Sequence, residues 1–118
     1  MTTSSASEFL LTSRDARGVV TLTLNDPARF NALGSDMLAA LQQTLDALVG
    51  DASVRVVVLA GVGKAFCAGH NLKDMAAHPE LGWYQQLFAQ CSRVMLSLHK
   101  LDVPVIARVH GMATAAGC

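Results

Sequence analysis

Val20, Leu22 and Leu24 alternate with Thr21 and Thr23, the two-residue period of a strand with one buried face. A companion strand is expected from Glu8 onward, the two separated by Asp15-Ala16-Arg17-Gly18. Asn25-Asp26-Pro27 ends the pair, because Pro has no N–H for a sheet ladder and Asn-Asp favours a turn. The period then changes. Leu38, Leu41, Leu45 and Leu48 recur at spacings of three and four, which is one stripe of a helix. Ser35 is the expected N-cap, Asp36 suits the positive end of the helix dipole, and Gly50 offers a left-handed stop. Residues 54–60 are apolar almost without alternation, which predicts a strand covered on both faces. After a glycine turn at Gly61 and Gly63, residues 71–77 are short and mixed, and Pro79 interrupts them.

A longer helix is expected over residues 83–99. Tyr84, Leu87, Phe88, Cys91, Met95 and Leu98 form its apolar side, Trp83 and its aromatic neighbours belong to the core, and Lys100 stands near the C-terminus. Residues 103–109 read as another buried strand, and the small residues after Gly111 as a turn into a helix start. Strand–helix–strand–helix–strand order with apolar strands makes an α/β fold. Neither repeats nor low-complexity linkers divide the chain, so residues 8–118 read as one partial domain behind a polar, disordered tail over residues 1–7.

Composition narrows the function. Hydrophobic residues make up 52% of the 118 positions and charged ones 15%, which excludes a disordered polyelectrolyte. A net charge of zero and an aromatic content of 5% give no basis for binding nucleic acid. No apolar run approaches the roughly 20 residues that span a bilayer, and the first residues lack the apolar core of a secretory signal. A cytoplasmic protein with no membrane or nucleic-acid partner is therefore expected. The three cysteines, Cys67, Cys91 and Cys118, suggest no disulfide framework. His70, His78, His99 and His110 have neither the mutual spacing nor the cysteine partners of a metal site, so none is expected. So large an apolar share in so short a chain suggests strands meant to be covered by further polypeptide.

The chemistry concentrates in residues 64–75, which follow the apolar strand through its glycine turn. Such a turn leaves backbone N–H groups accessible to a phosphate or to a developing oxyanion. Both phosphate motifs fail. A P-loop needs Gly where Val58 stands and Ser or Thr where Ala65 stands, and the dinucleotide fingerprint needs Gly in place of Phe66. Cys67 has no histidine firmly placed to activate it, so packing is its better reading.

Three segments in order resemble the enoyl-CoA hydratase/isomerase (crotonase) family. They are Asn25-Asp26-Pro27-Ala28-Arg29-Phe30-Asn31-Ala32-Leu33, Lys64-Ala65-Phe66-Cys67-Ala68-Gly69-His70-Asn71-Leu72-Lys73-Asp74-Met75, and the stretch from Pro104 through Gly111-Met112-Ala113-Thr114-Ala115-Ala116-Gly117-Cys118. The resemblance implies the N-terminal part of the crotonase ββα spiral, truncated before the C-terminal helices through which the family trimerises. It also implies an oxyanion hole for an acyl-CoA thioester, with backbone N–H donors at Ala68 and Ala116. Each such donor is typically worth about 2.7–4 kcal/mol in the transition state. Arg29, Ala32, Ala68, Gly69, His70, Asn71, Leu72 and Ala116 are the implied substrate-binding set, with Arg29, Lys64 and Lys73 near the phosphates of coenzyme A. Coenzyme A enters as part of the substrate, and no separate cofactor is implied.

Asn71 stands where hydratases commonly carry Asp, and Ala116 where Gly is commoner. The two glutamates that hydratases use as acid and base would fall beyond Cys118, the first at position 119. The expected activity is hydration of 2-enoyl-CoA thioesters, with double-bond isomerisation and non-catalytic acyl-CoA binding as alternatives. The full-length form is expected to be a homotrimer or a dimer of trimers.

Overall fold

The computed structural model describes residues 9–69 and 80–113. The expectations for the tail, for residues 71–77, and for His70, Asn71, Leu72, Lys73, His78, Ala116 and Cys118 lie outside the described residues.

The first hairpin follows the alternation. β1 (Leu10–Arg14) and β2 (Val19–Leu24) run antiparallel, with Leu10 opposite Leu24 and Arg14 opposite Val20. Leu10, Val20, Leu22 and Leu24 point into the core and the threonines stay half exposed. Gly18 turns the chain at φ 86°, and a Cβ there would stand 2.5 Å from the Ser53 carbonyl oxygen, so both conformation and space demand glycine.

α1 (Ser35–Leu48) buries Leu38, Leu41, Leu45 and Leu48 as the stripe predicts, and Gly50 follows it at φ 78°. Ser35 is not the N-cap. Gly34 holds that position, and the Ser35 hydroxyl instead donates to Gln90 Oε1 at 3.2 Å while Gln90 Nε2 donates to the Ser35 carbonyl at 3.1 Å.

β3 (Val56–Gly61) begins two residues later than expected. It runs parallel to β2, with Val19 opposite Val56 and Leu24 opposite Gly61. Val57 and Ala60 are buried, whereas Val56, Val58 and Leu59 are half-buried, so cover on the second face is partial. α2 (Leu81–Lys100) buries Leu87, Cys91 and Val94, and packs Trp83, Met95 and Leu98 against the same core. Phe88 had been expected on that side but is 45% exposed. The inward stripe advances by four, three and four residues from Leu87 to Leu98, and Phe88 lies about 100° around the helix from Leu87.

β5 (Val105–Ala107) joins β3 in parallel and completes a sheet of order β1-β2-β3-β5. Its expected burial fails, for Ile106 and Val109 are 52% and 54% exposed. The physical cause is position: β5 is an edge strand with β3 as its one neighbour among the described residues. A second small sheet was not anticipated. β4 (Ala65–Cys67), wholly buried, pairs in parallel with β6 (Met112–Ala113), Ala65 opposite Met112 and Cys67 opposite Ala113. The expected α/β class stands, and the two helices share one core with the main sheet.

Candidate functional site

The site is assembled from two loops that the sequence places far apart. The first follows β2. Pro27–Arg29 form one 3-10 turn, after which Phe30 and Asn31 both take left-handed conformations, at φ 53° and 55°. That region costs an L-residue of the order of 1–2 kcal/mol, least for Asn, so two in succession need support from elsewhere. Asn31 has it. It is completely buried, its Oδ1 accepts the Asp26 N–H at 2.7 Å, and its Nδ2 donates toward the carbonyls of Val62 (2.9 Å), Ala65 (3.0 Å) and Phe66 (3.2 Å).

The second loop leaves β4 and lies along the first. The Ala68 N–H donates to the Phe30 carbonyl at 3.0 Å, the Leu33 N–H donates to the Gly69 carbonyl, and the Cys67 thiol donates to the Asn31 carbonyl at 3.1 Å. This corrects the expected role of Ala68. A backbone amide carries one hydrogen, and that of Ala68 is committed to Phe30, so it is not an open oxyanion donor. The Gly69 N–H is engaged only weakly, 3.5 Å from the Cys67 sulfur, an acceptor much poorer than a carbonyl oxygen.

The parallel pairing of β4 and β6 brings the two chain segments side by side at Cys67 and Ala113. Two further contacts hold them. His110 Nε2 lies 2.6 Å from the Gly63 carbonyl, donating in the tautomer protonated there. Gly111, at φ 61°, lets its segment approach until a Cβ would stand 2.1 Å from the Lys64 carbonyl oxygen.

Of the remaining expected residues, Ala32 and Gly69 are buried beside these bonds. Arg29 is exposed and pairs with Asp26 at 3.4 Å. Arg29 and Ala32 line one cleft of about 160 Å³ with Phe9, Asp26 and Asp36, at the start of α1. Lys64 is exposed in the turn before β4. Beneath the second loop an apolar cavity of about 140 Å³ is lined by Leu33, Leu59, Phe66, Cys67, Met95 and Ala107. A larger cleft, about 290 Å³, lies at the opposite end of the parallel strands among residues 48–54 and 100–103, and holds none of the expected site residues. Cys67 is packed as expected. Burial pushes the Cys91 thiol above its ordinary range.

In the sequence Asn31 is one letter of a motif, and the carbonyls it holds are not legible there. The available signal was an Asn in a turn just after Pro27, a residue that tolerates left-handed backbone and carries both donor and acceptor.

Residues 14–118 match the enoyl-CoA hydratase/isomerase family. A crystal structure of enoyl-CoA hydratase from Mycobacterium smegmatis superposes with a TM-score of 0.91 and 62% identity, covering 93% of this chain and 43% of that one. Enoyl-CoA hydratase domain-containing protein 3, mitochondrial, of Xenopus laevis is 38% identical over 101 residues, 86% of this chain and 34% of its own length. The 1,2-epoxyphenylacetyl-CoA isomerase of Escherichia coli (strain K12) is 38% identical over 115 residues, 93% of this chain and 43% of its own. The chain thus spans from about a third to somewhat under half of these relatives.

Proposed function

The chain belongs to the enoyl-CoA hydratase/isomerase family, and on that premise we propose that it binds 2-enoyl-CoA thioesters and serves their hydration. Adding water across the double bond puts hydroxyl on the β-carbon and a proton on the α-carbon, and negative charge builds on the thioester oxygen in between. Backbone N–H groups held in a fixed direction lower the energy of that enolate because they need no reorganisation as it forms. The observation that carries this reading is the parallel β4–β6 pairing, which sets Cys67 opposite Ala113, so that two segments rich in small residues leave from neighbouring strands.

With the Ala68 N–H committed, the first donor comes from the N–H groups that follow it, at Gly69 and His70, and the second from Ala116. Gly69, Asn71 and Leu72 line the thioester, and Arg29, Ala32 and the Lys64 and Lys73 ammonium groups attend the coenzyme A portion. The acid and base are glutamates beyond position 118. No further cofactor takes part. The full-length protein is a cytoplasmic homotrimer or dimer of trimers, without nucleic-acid or membrane partners.

Calorimetry and the enoyl absorbance of crotonyl-CoA test this together. The 118-residue chain is expected to bind the thioester but not to consume it above the buffer rate. Turnover abolished by a substitution within residues 1–118 would place the acid and base inside the chain, and absence of binding would remove the acyl-CoA reading. The likeness to the E. coli epoxyphenylacetyl-CoA isomerase supports isomerisation as the second reading. Residue 119 separates the two, Glu favouring hydratase and Gln or a small residue favouring isomerase or a non-catalytic binder.

A further inference from the structure

We propose that Asn31 is the positioning residue of this site. Its carboxamide sets the path of the β3–β4 turn, and through it the direction in which the Gly69 N–H points. The inference rests on the acyl-CoA reading only for what that group then holds.

The geometry is specific to Asn. Its two amide hydrogens are divided among three carbonyls, at Val62, Ala65 and Phe66, which belong to the turn and to β4. Its amide oxygen takes the Asp26 N–H, its own N–H donates to the Asp26 carbonyl at 2.9 Å, and its carbonyl takes the Cys67 thiol. One buried side chain thus ties the start of the first loop to both ends of the β3–β4 turn. Asp has nearly the same shape but would turn an acceptor oxygen toward carbonyl oxygens. Ser or Ala would withdraw the amide donor that these three carbonyls share. Gln would add a methylene at a position that is completely buried. The left-handed backbone at Asn31 adds a second requirement that Asn meets better than most residues.

Gly61 provides an independent handle on the same clamp. A Cβ there would stand 2.6 Å from the Phe66 carbonyl oxygen and 2.9 Å from Asn31 Nδ2, pressing on the amide from outside without removing any of its atoms.

The test uses the 118-residue chain labelled with ¹⁵N, with Ile106→Thr and Val109→Lys as the common background so that the exposed β5 edge does not drive association. With Asn31 and Gly61 unsubstituted, the side-chain amide protons of Asn31 should exchange slowly with solvent, and so should the backbone amides of Ala68 and Leu33. In both Asn31→Asp and Gly61→Ala, exchange at Ala68 and Leu33 should quicken at least about tenfold, while the amides of Val20, Leu22 and Leu45 keep their protection. Both variants should also lose affinity for crotonyl-CoA while free coenzyme A binds as before, a split that a general loss of stability would not produce. Rapid exchange of the Asn31 amide in the unsubstituted protein would overturn the proposal whether or not the variants fold. So would unchanged loop protection, or protection lost equally in the loop, β2 and α1 of both variants. If the unsubstituted chain binds no thioester, the acyl-CoA reading falls, and the exchange measurements alone decide the role of Asn31.

Discussion

Asp51 and Asp15 stabilise two turns of the main sheet through the same device, a carboxylate gathering donors from its own turn. The Asp51 carboxylate accepts from the Ser53 hydroxyl at 2.6 Å, the Ser53 N–H at 3.0 Å and Arg14 Nη1 at 3.1 Å, and the two Ser53 bonds lead in holding its carboxyl below the usual value. Asp15 is held down first by its bond to the Arg17 side chain and then by the Val19 N–H. A carboxyl whose pKa is lowered by folding adds stability above its unfolded value, near 3.9, and gives it up as pH falls through the folded value. The thermal midpoint should therefore decline as the solution is acidified below about pH 4. Asp15→Asn combined with Asp51→Asn should flatten that decline. An identical acid profile in the double variant would show that these turns do not carry the effect. Both carboxylates face solvent, so the change will be modest. At this scale the sequence identified small, polar and charged residues correctly but not their partners. Ala68 and Asn31 were visible as letters, and their roles follow from bonds to residues more than thirty positions away.

Among the elements, α1 was read directly because its stripe repeats over several turns and its packing agrees with its period. Leu45 is wholly buried in that stripe. Leu45→Ala should cost about 2–5 kcal/mol and lower the denaturant midpoint, since a close-packed core refills only part of the cavity. Gly82, in the first turn of α2, has open space where a Cβ would be. Gly82→Ala should be neutral or stabilising, by up to about 0.5–1 kcal/mol. Chemical denaturation of both variants checks the pair, and a Leu45→Ala loss below about 1 kcal/mol would mean that α1 is not seated as described. The face of α2 was less legible. Its apolar residues cover more than one stripe, so the period alone admitted Phe88 and omitted Val94. The choice belongs to α1, which meets α2 through Gln42 and Ser97 at 2.9 Å as well as through the core.

For the whole molecule, two groups of exposed apolar residues stand out among the described residues. Ile106 and Val109 lie on and just past the edge strand β5, and Phe88 and Leu96 lie on the outer side of α2. Edges and apolar patches of this kind favour association. The 118-residue chain should bind a hydrophobic dye and form larger species on size-exclusion chromatography with light scattering. Ile106→Thr together with Val109→Lys should reduce both signals. A monomer with a sharp melt and no dye binding would refute this account of the surface. The sequence by itself determined the hairpin, the inward stripe of α1, the α/β order and the segments that resemble the family, because each is written in a local period or a local motif. Tertiary structure alone decided the pairing of β4 with β6, the exposure of β5, the commitment of the Ala68 N–H to Phe30 and the clamp at Asn31. Strands of two or three residues are too short to show a period, and a hydrogen bond between distant loops depends on where the fold brings their backbones together.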